Sequence, residues 1–159
     1  MRWGYNTINM RFILPLLLAI TIFIVDRITK MLALTYCLYS SYRVNAWLSF
    51  DVIFNRGVSW GLFNDANTLF VFLIAIIQSL VIVLLSYYAY KSYRKNRSMV
   101  GYICIITGTL SNMFDRLLYP GVIDFITIGY KEWTWPTFNI ADTAIVCGVA
   151  IVVWNYQEK

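Results

Sequence analysis

Four apolar runs, each near the length of a bilayer crossing, leave this chain few ways to fold. They cover residues 11–34, 68–90, 100–118 and 139–154. A helix crosses the hydrocarbon core with about 20 residues at about 1.5 Å each. The fourth run is short, so tilt or burial of its ends is expected. Hydrophobic residues make up 60% of the chain and charged ones 13%. A soluble domain carries about 25% charged residues, so the surplus apolar surface is expected to face lipid. The length of 159 residues fits one domain, and no repeat, low-complexity segment or linker marks a second. Asp26-Arg27-Ile28-Thr29-Lys30 and more apolar sequence follow the first run, with no small-residue cleavage site. The first run therefore reads as a retained transmembrane helix and not as a cleaved leader.

The basic residues orient the spans. With the N-terminus inside, the cytoplasmic parts hold Arg2, Arg11, Lys91, Arg94, Lys95, Arg97 and Lys159, against Arg43, Arg56 and Lys131 outside. Lysine and arginine favour the cytoplasmic side, so both termini are expected there. Lys91, Arg94, Lys95 and Arg97 read as one short basic loop, a topology signal and a contact for anionic lipid headgroups. The net charge of +5 is thus no nucleic-acid footprint, and the many Tyr and Trp residues fit a membrane interface better than base stacking. In this orientation Asp26, Asp115, Asp124 and Asp142 all lie toward the outer face.

The two outer segments are unlike ordinary loops. Residues 44–63 are rich in Val, Trp, Phe, Ile and Leu, with partial alternation over 47–54, and predict short β-strands. Gly57 and Gly61 supply turns or close approach. Residues 119–137 carry Pro120-Gly121, an apolar stretch over 122–128, then Trp133, Trp135 and Pro136. They predict a turn, a strand and an aromatic interface belt. Open strands cannot sit in hydrocarbon, so this small sheet is expected on the outer surface.

Carboxylates in or beside apolar runs are costly and point to function. Asp124 and Asp142 form the best pair. Two carboxyls held close tend to share one proton. The ionised one can draw a proton from water and the protonated one can donate to a carbonyl oxygen or leaving amine. There is no histidine, which removes the commonest general base and metal ligand. Cys37, Cys104 and Cys147 lie far apart and read as small apolar fillers. Lipid modification of Cys37 is not expected. Plainer readings stand beside the functional ones. Asn139 and Asp142 have the spacing of a helix N-cap and its third-position acid, and Asp124 could be a turn or strand-edge carboxylate. Asn112, Asp115 and Arg116 share one helix face, as an interfacial ion pair or a carbonyl- or phosphate-holding group. Asp26 and Lys30 have the spacing of a helical salt bridge. Asn55-Arg56-Gly57 reads as a turn or a substrate-contacting loop.

Taken in order, these segments resemble the bacterial lipoprotein signal peptidases, also called signal peptidase II. Residues 26–30 resemble that family's Asp-x-x-Thr-Lys. Phe54-Asn55-Arg56-Gly57 resembles its Asn-x-Gly loop, and Asn112-Met113-Phe114-Asp115-Arg116 its Gly-Asn-x-x-Asp-Arg segment. Val122-Ile123-Asp124-Phe125 and Phe138-Asn139-Ile140-Ala141-Asp142 resemble its two catalytic aspartate motifs. The resemblance implies a mainly α integral membrane protein of four transmembrane helices with a small extracytoplasmic β-sheet cradle. It implies a multi-pass protein of the bacterial inner membrane, and an aspartyl endopeptidase that cuts diacylglyceryl-modified prolipoproteins before the lipidated cysteine. Asp124 and Asp142 would be the catalytic dyad. Asn55, Asn112, Arg116 and Asn139 would be supporting polar residues near the substrate, and Asp26, Lys30 and Asp115 supporting residues with a structural role. No metal or organic cofactor is implied. Partners are the prolipoprotein and membrane lipid, and a monomer is expected. Two departures stand out: Ser111 replaces the usual glycine before the asparagine, and Val58-Ser59-Trp60-Gly61 replaces a small-residue stretch. Both put substrate fit in doubt more than chemistry. The rival reading is a proton- or ion-coupled transporter, although such sites favour the midplane and inverted repeats. A non-catalytic membrane subunit is a third.

Overall fold

Leu, Ile, Phe and Val in unbroken runs bury nothing in water but suit helices in an apolar medium, where every backbone polar group is satisfied within the helix. The computed structural model describes residues 7–57 and 68–157 and is mostly helical. Helix α1 spans Thr7–Cys37, α2 Thr68–Arg94, α3 Val100–Leu118 and α4 Ile140–Gln157. These match the four apolar runs, with α1, α2 and α4 extending past the expected ends. Arg2, Lys159 and residues 58–63, which include Val58-Ser59-Trp60-Gly61, lie outside the described residues.

The ends of the helices follow local chemistry. Asn96, just past α2, takes a left-handed conformation with φ 57°, and the Arg97 N–H donates to Ser92 O at 2.8 Å, closing the last turn. Lys91 and Arg94 are in α2 itself. Of the basic cluster only Lys95 and Arg97 are in the connection, because the left-handed stop falls two residues beyond Arg94. Helix α3 ends at Tyr119, whose N–H donates to Asp115 O at 2.8 Å; Pro120 follows and cannot continue the helix.

Among the described residues two helices, over Met10–Cys37 and Phe72–Arg94, are long and apolar enough to cross a membrane. Their side chains point outward: Leu14, Leu17, Ile24, Ile77, Leu80 and Val83 are all exposed. An apolar surface of this size fits a lipid environment. The α4 segment Ile140–Tyr156 is apolar but shorter. Helix α3 differs, because its buried face carries Thr107, Thr109, Ser111, Asn112 and Asp115. It is the hub of the bundle and packs on α4, α1 and α2.

Close approach along the α3–α4 seam depends on glycine. A Cβ at Gly108 would fall 2.4 Å from Ala141 O, a backbone atom of α4. Gly108→Ala must therefore push the helices apart. It is expected to cost about 1–3 kcal/mol, the usual size of an overpacking penalty, and to lower the unfolding temperature in detergent. An unchanged temperature would show that the seam is slack.

The sheet is small and antiparallel, in the order β1 (Tyr42–Arg43), β2 (Leu48–Asn55), β3 (Val122–Tyr130), β4 (Trp133–Thr134). Strand β1 starts two residues before the expected β-like segment. Asn55 pairs with Val122 and Ile53 with Asp124, with a register shift between Phe50 and Ile53. Gly121 lets the chain enter β3 against β2, since a Cβ there would lie 2.7 Å from Asn55 O. Trp47 stacks on Tyr130 with centroids 4.0 Å apart, while Trp133 and Trp135 are exposed.

Candidate active site

The β2–β3 register places Asn55 and Asp124 on one face of the sheet as diagonal neighbours. The Asn55 Nδ2 donates to Asp124 Oδ2 at 2.9 Å, while its own Oδ1 accepts the Gly57 N–H at 3.1 Å. Asn55 is thus both the turn-former and a contact of the carboxylate. Asp124 is 3% exposed. Past the sheet, Phe138 bridges to Ile126, which sets the next residue, Asn139, beside Asp124. The Asn139 Nδ2 donates to Asp124 Oδ1 at 2.7 Å.

Asn139 also starts α4 as a reciprocal cap. Its Oδ1 accepts the Asp142 N–H at 2.8 Å, and its own N–H donates to Asp142 Oδ2 at 3.2 Å. One residue therefore holds both carboxylates, through its side chain on Asp124 and through its backbone on Asp142. The cap reading and the paired-carboxylate reading describe the same arrangement. Asn112 of α3 completes it: Nδ2 donates to Asp142 Oδ1 at 2.8 Å, and Oδ1 accepts from Asn139 Nδ2 at 3.1 Å.

Burial holds the Asp124 carboxyl well above the usual carboxylate range, at about 7, and the negative charge of Asp142 adds to the effect. The two amide donors, Asn55 and Asn139, pull the other way and are outweighed. A carboxyl of this kind is about half protonated at neutral pH, where an exposed aspartate has lost its proton.

Behind the pair lies a buried charge cluster. The Asp26–Lys30 salt bridge is present at 2.8 Å, but it is no surface pair: the side chains are 0% and 1% exposed. Lys30 Nζ also meets Asp115 Oδ2 at 2.7 Å and donates to Asn112 Oδ1 at 3.0 Å. Asp26 Oδ1 accepts the Ala141 N–H of α4 at 2.9 Å, and Asp115 Oδ2 accepts the Ile123 N–H of β3 at 3.2 Å. The cluster thereby fixes the two elements that carry Asp142 and Asp124.

Arg116 does not pair with Asp115, because Asp115 points into the cluster. Instead Arg116 Nη2 donates to Gly57 O at 3.3 Å and Nη1 to Gln78 Oε1 at 3.5 Å. It braces the Asn55–Gly57 turn against α3. Two contributors escaped the sequence, Arg27 and Gln78, and a third, Ser111, stood out only as a departure. Ser111 Oγ donates to Asp26 Oδ2 at 2.6 Å and is fully buried, so the departure at this position joins the cluster. A signal for it was present, since Ser111 stands one helical turn before Asp115. Among the described residues no three His, Cys, Asp or Glu side chains gather as metal ligands.

Comparison with known proteins follows the same lines. The family model described as signal peptidase (SPase) II matches residues 18–157. The lipoprotein signal peptidase of Wigglesworthia glossinidia brevipalpis is 36% identical over 140 residues, covering 87% of this chain and 91% of that one. That of Yersinia enterocolitica is also 36% identical, over 87% of this chain and 83% of its own length. A bacterial membrane enzyme solved by the in meso method at 2.3 Å superposes with a TM-score of 0.76 and 25% identity, over 92% of this chain and 89% of that chain.

Proposed function

We propose, from the premise that the chain belongs to the signal peptidase II family, that it is an aspartyl endopeptidase working at the outer edge of the bacterial inner membrane. The family makes it a peptidase that removes signal peptides from lipoproteins. The finer reading is that the substrate is a diacylglyceryl-modified prolipoprotein, cut just before the lipidated cysteine, and that Asp124 and Asp142 cut it. The observation that carries this reading is the double hold of Asn139 on both carboxylates.

In this mechanism Asp124 holds the shared proton at rest and Asp142 is ionised. Water between them gives a proton to Asp142 as its oxygen attacks the scissile carbonyl carbon. Asp124 donates to the carbonyl oxygen, forming a tetrahedral diol. The diol collapses as Asp142 passes its proton to the amine of the lipidated cysteine and Asp124 recovers its own. Asn139 and Asn112 keep the carboxylates aimed throughout, and preorganised donors of this sort cost no reorganisation during reaction. Arg116 and Asn55 hold the 55–57 turn beside the scissile bond.

The same geometry supports a reading of the bilayer arrangement. Arg11 donates to Asn96 of the α2–α3 connection, so the start of α1 and the basic turn share one end of the bundle. The carboxylates lie at the other end. With all four helices crossing, the basic end is cytoplasmic and the carboxylates face outward. The chain acts as one domain and as a monomer.

A reconstituted preparation given a lipidated preprotein, and the same preprotein without lipid, tests the reading. Mass analysis should show a single cut before the lipidated cysteine and none in the unlipidated control. Equal cleavage of both, or a cut elsewhere, would sink it. The pH dependence carries its own sign. Cleavage should fall as pH rises above about 7, where Asp124 loses its proton. Stability should move the same way. The folded state binds this proton more tightly than the unfolded chain, whose value is 3.8, so stability is gained as pH falls below about 7. Unfolding temperature should rise from about pH 8 to about pH 6, and less so in Asp124→Asn. An equal rise in both would remove Asp124 as the cause.

A further inference from the structure

Arg27 occupies a free position of the Asp-x-x-Thr-Lys pattern, yet it sits in the middle of the buried cluster. Its Nη1 meets Asp115 Oδ1 at 2.6 Å and its Nη2 meets Asp26 Oδ2 at 2.9 Å. Nη2 also donates to Ser111 O at 3.3 Å. Phe23 and Phe114 flank the guanidinium, with centroids 5.7 and 5.4 Å from Cζ. Side-chain exposure is 19%.

Charge balance gives this contact its meaning. Asp26 and Asp115 bring two negative charges into a site nearly free of water, and Lys30 brings one positive charge. Arg27 supplies the second, so the cluster is neutral. The three ammonium protons of Lys30 then have three acceptors: Asp26, Asp115 and Asn112 Oδ1. The third contact fixes the direction of the Asn112 amide. Its oxygen is held by Lys30 and Asn139, so its Nδ2 faces Asp142. A reversed amide would put an N–H against the ammonium and an oxygen against the carboxylate.

We propose that Arg27 is a positioning residue for Asp142: by neutralising the second buried carboxylate it leaves Lys30 free to orient Asn112 toward Asp142. The inference rests on the reading of Asp142 as a member of the dyad. Without the guanidinium, two carboxylates compete for one ammonium, and Lys30 is drawn away from Asn112. The charged groups around Asp142 are Lys30 and Asp26 on α1, Arg116 on α3 and Asp124 on β3. Loss of Arg27 adds an uncompensated negative charge near the first two and weakens the Asn112 donor. Both changes favour a protonated Asp142.

The test compares wild type, Arg27→Gln and Arg27→Lys on one lipidated preprotein across pH. Arg27→Gln should lower kcat about 10- to 100-fold, the range for loss of a hydrogen bond to a charged group, with KM unchanged. The low-pH limb of its kcat profile should move to higher pH. Arg27→Lys keeps the charge but reaches one carboxylate as a compact ammonium, so it should lose less kcat and leave the limb in place. A wild-type limb in Arg27→Gln, with only a lower unfolding temperature, would overturn the proposal. So would a limb in Arg27→Lys displaced as far as in Arg27→Gln. If Arg27→Gln does not fold, Arg27→Lys decides: reduced kcat at constant KM with an unmoved limb supports the proposal, and unreduced kcat, a changed KM or a moved limb overturns it. Failure of wild type to cleave would instead remove the peptidase reading itself.

Discussion

Asp124→Asn and Asp142→Asn are each expected to lower kcat by about 10²–10⁴-fold, the range that a positioned acid or base contributes. Neither asparagine can give up or take a proton in the reaction, so Asp142→Asn stops water activation and amine protonation, and Asp124→Asn stops protonation of the carbonyl oxygen. Binding of the signal helix should survive, because both changes conserve shape. Single-turnover cleavage of a lipidated preprotein, beside a binding measurement with the same variant, separates the two effects. Substantial cleavage by either variant would refute the dyad. The effects should also be non-additive. Once one carboxyl is lost the other has no partner to exchange protons with, so the double variant should be little worse than the poorer single one.

The second large effect concerns stability. Lys30→Met should cost about 3–5 kcal/mol, the penalty for breaking a buried ion pair by removing one partner. Lys30 is 1% exposed and touches Asp26, Asp115 and Asn112. Methionine fills much of the space but leaves Arg27 facing two buried carboxylates. Unfolding in detergent measures the loss. Adding Asp26→Asn should recover part of it, since the cluster is then neutral again. A Lys30→Met variant as stable as wild type would show that water reaches the cluster and screens it. These outcomes differ in kind from those of the aspartate variants, which should remain folded.

The helices were legible because composition dictates them. A 19-residue run from Val100 to Leu118 is bounded by a polar turn on one side and Tyr119-Pro120 on the other, and the helix obeys those limits. The β-strands were legible as alternation, but the start of β1 at Tyr42 was not, since two residues carry no period. Among the candidate residues, Asp26 and Lys30 could be paired from their spacing on a helix. Asp115 and Arg116 could not be assigned partners, because neighbours in sequence diverge by about 100° around a helix. One enters the cluster and the other reaches Gly57. Ser111 stood out in sequence as a departure, but its partner did not: its fully buried hydroxyl donates to Asp26, which lies on another helix. Arg27 falls on an unspecified position of the Asp-x-x-Thr-Lys pattern, so sequence assigned it no role.

Sequence alone determined an apolar helical chain with carboxylates gathered at one end of its runs, because hydrophobicity and spacing are properties of each segment by itself. Tertiary structure decided which carboxylate meets which donor. Asn139 can hold Asp124 and Asp142 together only after Phe138 has paired with Ile126 and α4 has closed on the glycine of α3. The neutrality of the cluster behind them likewise exists only when α1 and α3 bring two acids and two bases into one dry space, where an unpaired charge would be costly.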